Sequence, residues 1–190
     1  MKRGPRYQEI IAASIKVFAR TNYEKATTAM IAREAGVAEG TIYRYFPSKK
    51  ELFLECTRYV EGLLMERYRE IYEDTRDQPI EYLKRVAGSY LDFIRENPEM
   101  RKFLAFVLNN SFDDDFLEEL RRFLDINVNA TEHMIRKGIE KGDFRKKLDP
   151  RIAAWMFVGG YFTLILMTEV GAAEGEDPSF LENLLYAVIE

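Results

Sequence analysis

Residues 27–51 read TTAMIAREAGVAEGTIYRYFPSKKE, and this stretch decides the fold. It holds two short helical runs on either side of a glycine, then a fresh helix start. At about 100° per residue the second run, Glu39–Phe46, has two distinct faces. Ile42 and Phe46, four apart, make an apolar stripe. Gly40, Thr41, Arg44 and Tyr45 fall on the opposite side, and Tyr43 lies on the border. The stripe belongs in a core, which leaves the other face for solvent or a partner. That face offers a residue without a side chain, a hydroxyl, a guanidinium and a phenol. Glycine permits close backbone approach. Hydroxyl and guanidinium groups donate to phosphate oxygens and base edges.

The run ahead of it, Thr28–Ala35, has Thr28 as its expected N-cap, with Ile31 and Ala35 turned together toward the core. Gly36 suits the left-handed position that ends a helix, and Val37 fills the angle between the two runs. Two helices joined this way form a helix-turn-helix, in which the second helix enters the major groove and the first crosses the backbone. Ser48 with Glu51 reads as a capping box, so another helix starts directly after Pro47. Lys49 and Lys50 fall in its first turn, where cations oppose the helix dipole. A neighbouring phosphate would account for them.

Charge divides along the same line. Residues 1–58 carry eleven Lys or Arg against six Glu, a net of +5, while the whole chain stands at −4 and the remainder therefore at −9. A basic front end on an acidic protein fits polyanion binding at one end only. Lys2, Arg3 and Arg6 precede the first helix and have two readings, a flexible arm on DNA or a solvated terminus.

The run AGVAEGTIYRYFPSKKEL resembles the DNA-binding signature of the TetR family of bacterial and archaeal transcription regulators. The amphipathic run before it, with Tyr7, Ile10, Ile11, Ser14, Val17 and Phe18, is similar to that family's first helix. The motif covers about the first third of the chain; the rest matches in length and helical character only. The resemblance implies an all-α fold. An N-terminal three-helix helix-turn-helix domain (1–47) is joined by a long helix to a C-terminal helical ligand-binding and dimerisation bundle (48–190). It also implies that Thr28, Thr41, Tyr43, Tyr45 and Lys49 touch DNA, and that Gly40 lies closest to the groove. Arg44 stands at a variable position, and Arg to guanine is the commonest specific contact. Two residues depart from the pattern. Ala38 stands where Ser is common, so a hydroxyl is missing. Glu39 stands where Lys is common: its carboxylate suits a helix N-terminus but repels phosphate, and it reads either as a cap or as an acceptor for a cytosine amino group.

Beyond residue 48 the chain reads as helices at about 48–74, 79–96, 98–109, 113–141, 150–170 and 178–190. Several starts pair a polar cap with a following Pro, as in Asn97-Pro98, Asp149-Pro150 and Asp177-Pro178. No glycine- or proline-rich linker interrupts the helix from Ser48, which reads as a stiff connection between front and back. Ile152–Thr168 is seventeen residues without a charge. That is short for a membrane span of about 20 residues, so it reads as a core helix or a subunit interface. The resemblance implies that the helices at about 150–170 and 178–190 pair with their copies in a homodimer. Phe180, Leu184, Leu185 and Val188 supply the apolar face of the last one. Between them lies an aromatic-rich middle, from which Phe93, Phe103, Phe106, Phe112, Phe116 and Trp155, with His133 as a polar group, are the candidate lining of a pocket for a small hydrophobic effector. Asn109 and Asn127 are further polar candidates.

Enzymatic chemistry has little to draw on. The chain has one Cys, Cys56, and one His, His133, which excludes a disulfide framework and a Cys/His zinc site. Asp113, Asp114 and Asp115 sit at a helix start, where acids suit the dipole, and Asp115 with Glu118 resembles a capping box. No catalytic residue, metal or cofactor is expected. MKRGPRYQEI has no apolar secretory core, and the expected location is the cytoplasm. The sequence thus reads as a repressor that binds double-stranded palindromic DNA as a homodimer and is released by its effector. The alternatives are a sensor whose DNA affinity rises on ligand binding and an α-helical enzyme.

Overall fold

The computed structural model describes residues 4–109, 114–172, 179 and 183–186. Eight helices follow in order: α1 (Pro5–Thr21), α2 (Thr28–Glu34), α3 (Glu39–Tyr45), α4 (Lys49–Thr75), α5 (Pro79–Glu96), α6 (Pro98–Asn109), α7 (Asp114–Lys141) and α8 (Pro150–Glu169). Every regular element among the described residues is a helix. Of the run expected at 178–190, residues 179 and 183–186 are helical, while Phe180 and Val188 lie outside the described residues. So do Lys2, Arg3, Phe112 and Asp113.

Local signals placed most boundaries. Asp149 caps α8, accepting from the backbone N–H groups of Arg151 and Ile152, with Pro150 at the first helical position. Gly36 has φ +62°, a left-handed conformation that favours glycine. Two caps differ from expectation. Thr27, not Thr28, caps α2: its hydroxyl accepts from the Met30 N–H at 3.2 Å. The Ser48 hydroxyl accepts from the Glu51 N–H at 3.1 Å, but the Glu51 carboxylate turns to the Arg58 guanidinium, 3.1 Å away. Only half of the capping box forms, because an ion pair offers that carboxylate a stronger partner than a backbone amide.

The chain gathers into two compact units: residues 1–62 with 97–119, and residues 63–96 with 120–190. In the first, α1 buries Ile10, Ile11, Ile15, Val17 and Phe18. Phe53 of α4 lies within 5.0 Å of Phe18 and 5.1 Å of Phe103 of α6, centroid to centroid. Such aromatic packing, with its large apolar area, is why α6 gathers with the N-terminal helices. Cys56 is buried there against the Ile11 carbonyl, 3.9 Å from its sulfur, and burial pushes its thiol well up in pKa. In the second unit, α5 buries Tyr82, Leu83, Val86, Ala87, Tyr90, Phe93 and Ile94, while α8 buries Ala153, Ala154, Phe157, Val158, Tyr161, Leu164 and Ile165. Gly138 of α7 is a close-approach site, since a Cβ there would stand 2.1 Å from the Phe144 ring.

Candidate nucleic-acid interface

The two faces of α3 separate as its periodicity demands. Ile42 and Phe46 are 1% and 2% exposed, and burying two such side chains contributes about 1.5–3 kcal/mol each. Gly40 and Arg44 are exposed, Tyr43 is 51% exposed, and Thr41 and Tyr45 are half-buried. The Arg44 guanidinium lies 5.8 Å from the Tyr45 ring centroid, a contact that steadies it while leaving its donors outward. A Cβ on Gly40 would meet nothing within 4 Å, so the glycine faces open space.

A chain of hydroxyls ties α2 to α3. Thr28 is buried, and its hydroxyl donates to the Glu39 carboxylate at 2.5 Å. The same Thr28 oxygen stands 3.0 Å from the Tyr43 hydroxyl. Thr28 has one proton. With that proton spent on Glu39, Tyr43 donates to the Thr28 oxygen. Glu39 therefore makes an interhelical contact that neither of its sequence readings contained. Ala38 is the N-cap of α3 and supplies no side-chain bond.

Lys49 has an intramolecular place. Its ammonium donates to the carbonyls of Tyr23 (2.8 Å) and Ala26 (3.1 Å) and lies 4.4 Å from the Tyr23 ring centroid. It pins the α1–α2 turn to the start of α4 and retains one further proton. Lys50 pairs with Asp115 at 2.5 Å, so this member of the acidic run neutralises a cation. Among the described residues no three His, Cys, Asp or Glu gather as metal ligands.

Of the seven candidate effector residues, Phe112 lies outside the described residues, and the other six are distributed over both units. Phe103, Phe106 and Phe116 belong to the first unit, with Phe53 centroids 5.1, 5.9 and 4.8 Å from theirs. Phe93 is buried in the second unit, with the Arg67 guanidinium 5.4 Å from its ring centroid. His133 is exposed on α7, and Trp155 is 54% exposed on α8 beside Arg151. In the single chain neither lines an interior. Asn127 spends its amide on the Phe123 carbonyl one turn back, at 2.7 Å. Sequence reasoning also passed over Tyr68 and Tyr82, which are buried in the second unit. The signal was present on α5, where Tyr82, Val86 and Tyr90 recur every fourth residue.

A short amphipathic helix, open on its polar face and set after a glycine turn, defines a helix-turn-helix DNA-binding domain. Residues 10–56 match the model of the bacterial regulatory proteins of the tetR family. The front of the chain is thus a DNA-binding domain of the tetR family of transcriptional regulators. The chain is 26% identical to the fatty acid metabolism regulator protein of Bacillus subtilis, over 83% of this chain and 80% of that one. It is 29% identical to the nucleoid occlusion factor SlmA of Vibrio campbellii over 72% of each. Its fold matches that of the transcriptional regulator FadR from Bacillus subtilis in complex with stearoyl-CoA, with a TM-score of 0.80, 22% identity, and 94% and 97% of the two chains covered.

Proposed function

We propose that this regulator is a homodimeric repressor that places α3 in successive major grooves of a roughly palindromic operator and is controlled by a small hydrophobic effector of the long-chain acyl class. The observation that carries the reading is the open face of α3, with Arg44 and Gly40 outward over a buried Ile42–Phe46 stripe. Arg44 reads a base edge; Thr41, Tyr43 and Tyr45 hold the backbone, and Gly40 sets the depth of approach. Thr28 and Glu39 brace Tyr43. Lys49 secures the turn and adds its charge to the phosphate field.

Support for the dimer comes from α8. Ile152, Trp155, Met156, Met167 and Val170 are exposed, on the side away from its buried residues. A Cβ on Gly159 would meet nothing within 4 Å, so a second helix has room to approach there. The helix is long and apolar enough to cross a membrane by length and composition alone, but its inner face is committed to packing within the second unit. A copy of the chain covers the outer face.

The effector class is supported by two relatives, one a regulator of fatty acid metabolism and one holding stearoyl-CoA. The second unit, with its apolar interior, is where it binds. Linkage requires only that the effector favour one conformation over the other; release from DNA is the direction proposed. Fluorescence anisotropy of the purified protein on promoter fragments, with and without stearoyl-CoA, tests this. Sequence-selective binding that weakens with the thioester is expected. Equal affinity for operator and random DNA would end the proposal, and tighter binding with the thioester would reverse its direction.

A further inference from the structure

The interior of the second unit holds two phenols without partners. Tyr90 of α5 and Tyr161 of α8 stack with ring centroids 4.7 Å apart and planes 30° from parallel. Phe157 meets the Tyr161 ring edge-on at 5.1 Å. Both hydroxyl oxygens are sealed from solvent, and neither has a hydrogen-bond partner among the described residues. Burial holds the Tyr90 phenol neutral; for Tyr161, burial and then the phenols of Tyr68, Tyr82 and Tyr90 act in the same direction. Both are therefore protonated donors.

A buried donor left unmade is costly, and nearly all buried polar groups in folded proteins are paired. Phenylalanine at either position would fill the same volume without that cost. Two such donors on touching rings make sense if a third group, absent from the chain itself, accepts from them. We infer that Tyr90 and Tyr161 form the polar end of the effector site and receive a neutral acceptor oxygen, the carbonyl of an acyl ester, thioester or amide. One carbonyl oxygen has two lone pairs, which two phenols satisfy. Among the described residues, what acts on the two phenols is burial and, for Tyr161, neighbouring phenols, and an unpaired carboxylate is far more costly to bury than a neutral carbonyl. Phe93, Phe157 and Ile165, all buried in this unit, offer the apolar surroundings that an acyl chain wants. The inference rests on the proposal that a long-chain acyl effector binds in the second unit.

The test uses the full chain with stearoyl-CoA and with S-octadecyl-CoA, a thioether of nearly the same length that lacks the carbonyl. The wild-type protein is expected to bind the thioester about 5- to 30-fold more tightly, the gain from one or two ordinary hydrogen bonds. Tyr90→Phe and Tyr161→Phe each reduce that preference. The double variant brings it within about twofold of parity, with thioether affinity unchanged. A second readout needs no ligand: each substitution removes an unpaired buried hydroxyl and raises the melting temperature by roughly 2–4 °C. A lower melting temperature would show that the phenols already serve the fold, and a preference retained by the double variant would place the carbonyl elsewhere; either overturns the inference. Equal affinity of the wild-type protein for thioester and thioether overturns it too while leaving the acyl effector standing, whereas binding of neither removes both.

Discussion

Replacing Lys49 with Met keeps the apolar stem and deletes the ammonium, which separates two contributions of one side chain. The first is to folding. The ammonium donates to the Tyr23 and Ala26 carbonyls at 2.8 and 3.1 Å and lies 4.4 Å from the Tyr23 ring centroid. Bonds from a charged donor contribute about 1.5–3 kcal/mol each at best, but this side chain is only half-buried, and solvent competition reduces each to roughly 0.5–1. The cation–π contact adds about 0.5 kcal/mol at such a site. The sum is about 2 kcal/mol, which for a chain of this size lowers the melting temperature by roughly 4–8 °C. The second contribution is to DNA. Carbonyls are neutral, so they bind the ammonium without cancelling its charge, and the slope of log affinity against log salt flattens by about one unit. Scanning calorimetry and operator titrations at several salt concentrations measure the two effects separately. An unchanged melting temperature would refute the argument that the α1–α2 turn is held by this lysine. An unchanged slope would show that its charge stays clear of the phosphates.

Arg44→Ala is expected to relax preference at one base pair per half-site by about 1–3 kcal/mol; a uniform loss across all sequences in a competition assay would contradict base reading. Met156→Asp puts a carboxylate on the exposed apolar face of α8 and should leave a folded monomer in sedimentation, with operator affinity sharply reduced; an intact dimer would move the interface elsewhere. Gly138→Ala drives a methyl into the Phe144 ring, 2.1 Å from the new carbon, and should cost about 1–3 kcal/mol in urea denaturation, whereas a neutral outcome would show that the ring yields freely. Alkaline stability follows from the buried tyrosines. Burial, with a smaller effect of Tyr72, pushes Tyr82 up to about 12, and Tyr68, Tyr90 and Tyr161 shift the same way. The folded state thus keeps protons that the unfolded chain releases from about pH 10. This contribution is complete below pH 10 and is lost as pH rises through 12. Tyrosinate absorbance that titrates near pH 10 while the protein stays folded would contradict it.

Helix positions and the polarity of α3 follow from short-range rules. Caps, prolines and the 3.6-residue period act within a few residues, so the sequence displays them directly, and the α5, α6 and α8 starts fall where Pro79, Pro98 and Pro150 put them. The same rules failed where partners come from far along the chain. Glu51 looked like a cap because its neighbour Ser48 was visible and the competing guanidinium of Arg58, two turns on, was not weighed. Backbone carbonyls leave no mark in a sequence, so the bonds from Lys49 to Tyr23 and Ala26 were not legible there. Nor does aromatic character show which unit a residue joins: Phe103 belongs to the first, Phe93 and Trp155 to the second.

By itself, then, the order of residues determined an all-helical chain with one amphipathic reading helix and a basic front. Periodicity and capping are local, and each residue carries its own charge. Tertiary structure alone decided that Thr28 points at Glu39 rather than capping α2, that α6 gathers with the first helices, that Trp155 faces outward, and that Tyr90 and Tyr161 meet as unpartnered donors. Each of these depends on which distant surfaces come together, and a pairing across many residues is set by packing of whole faces rather than by any short run of sequence.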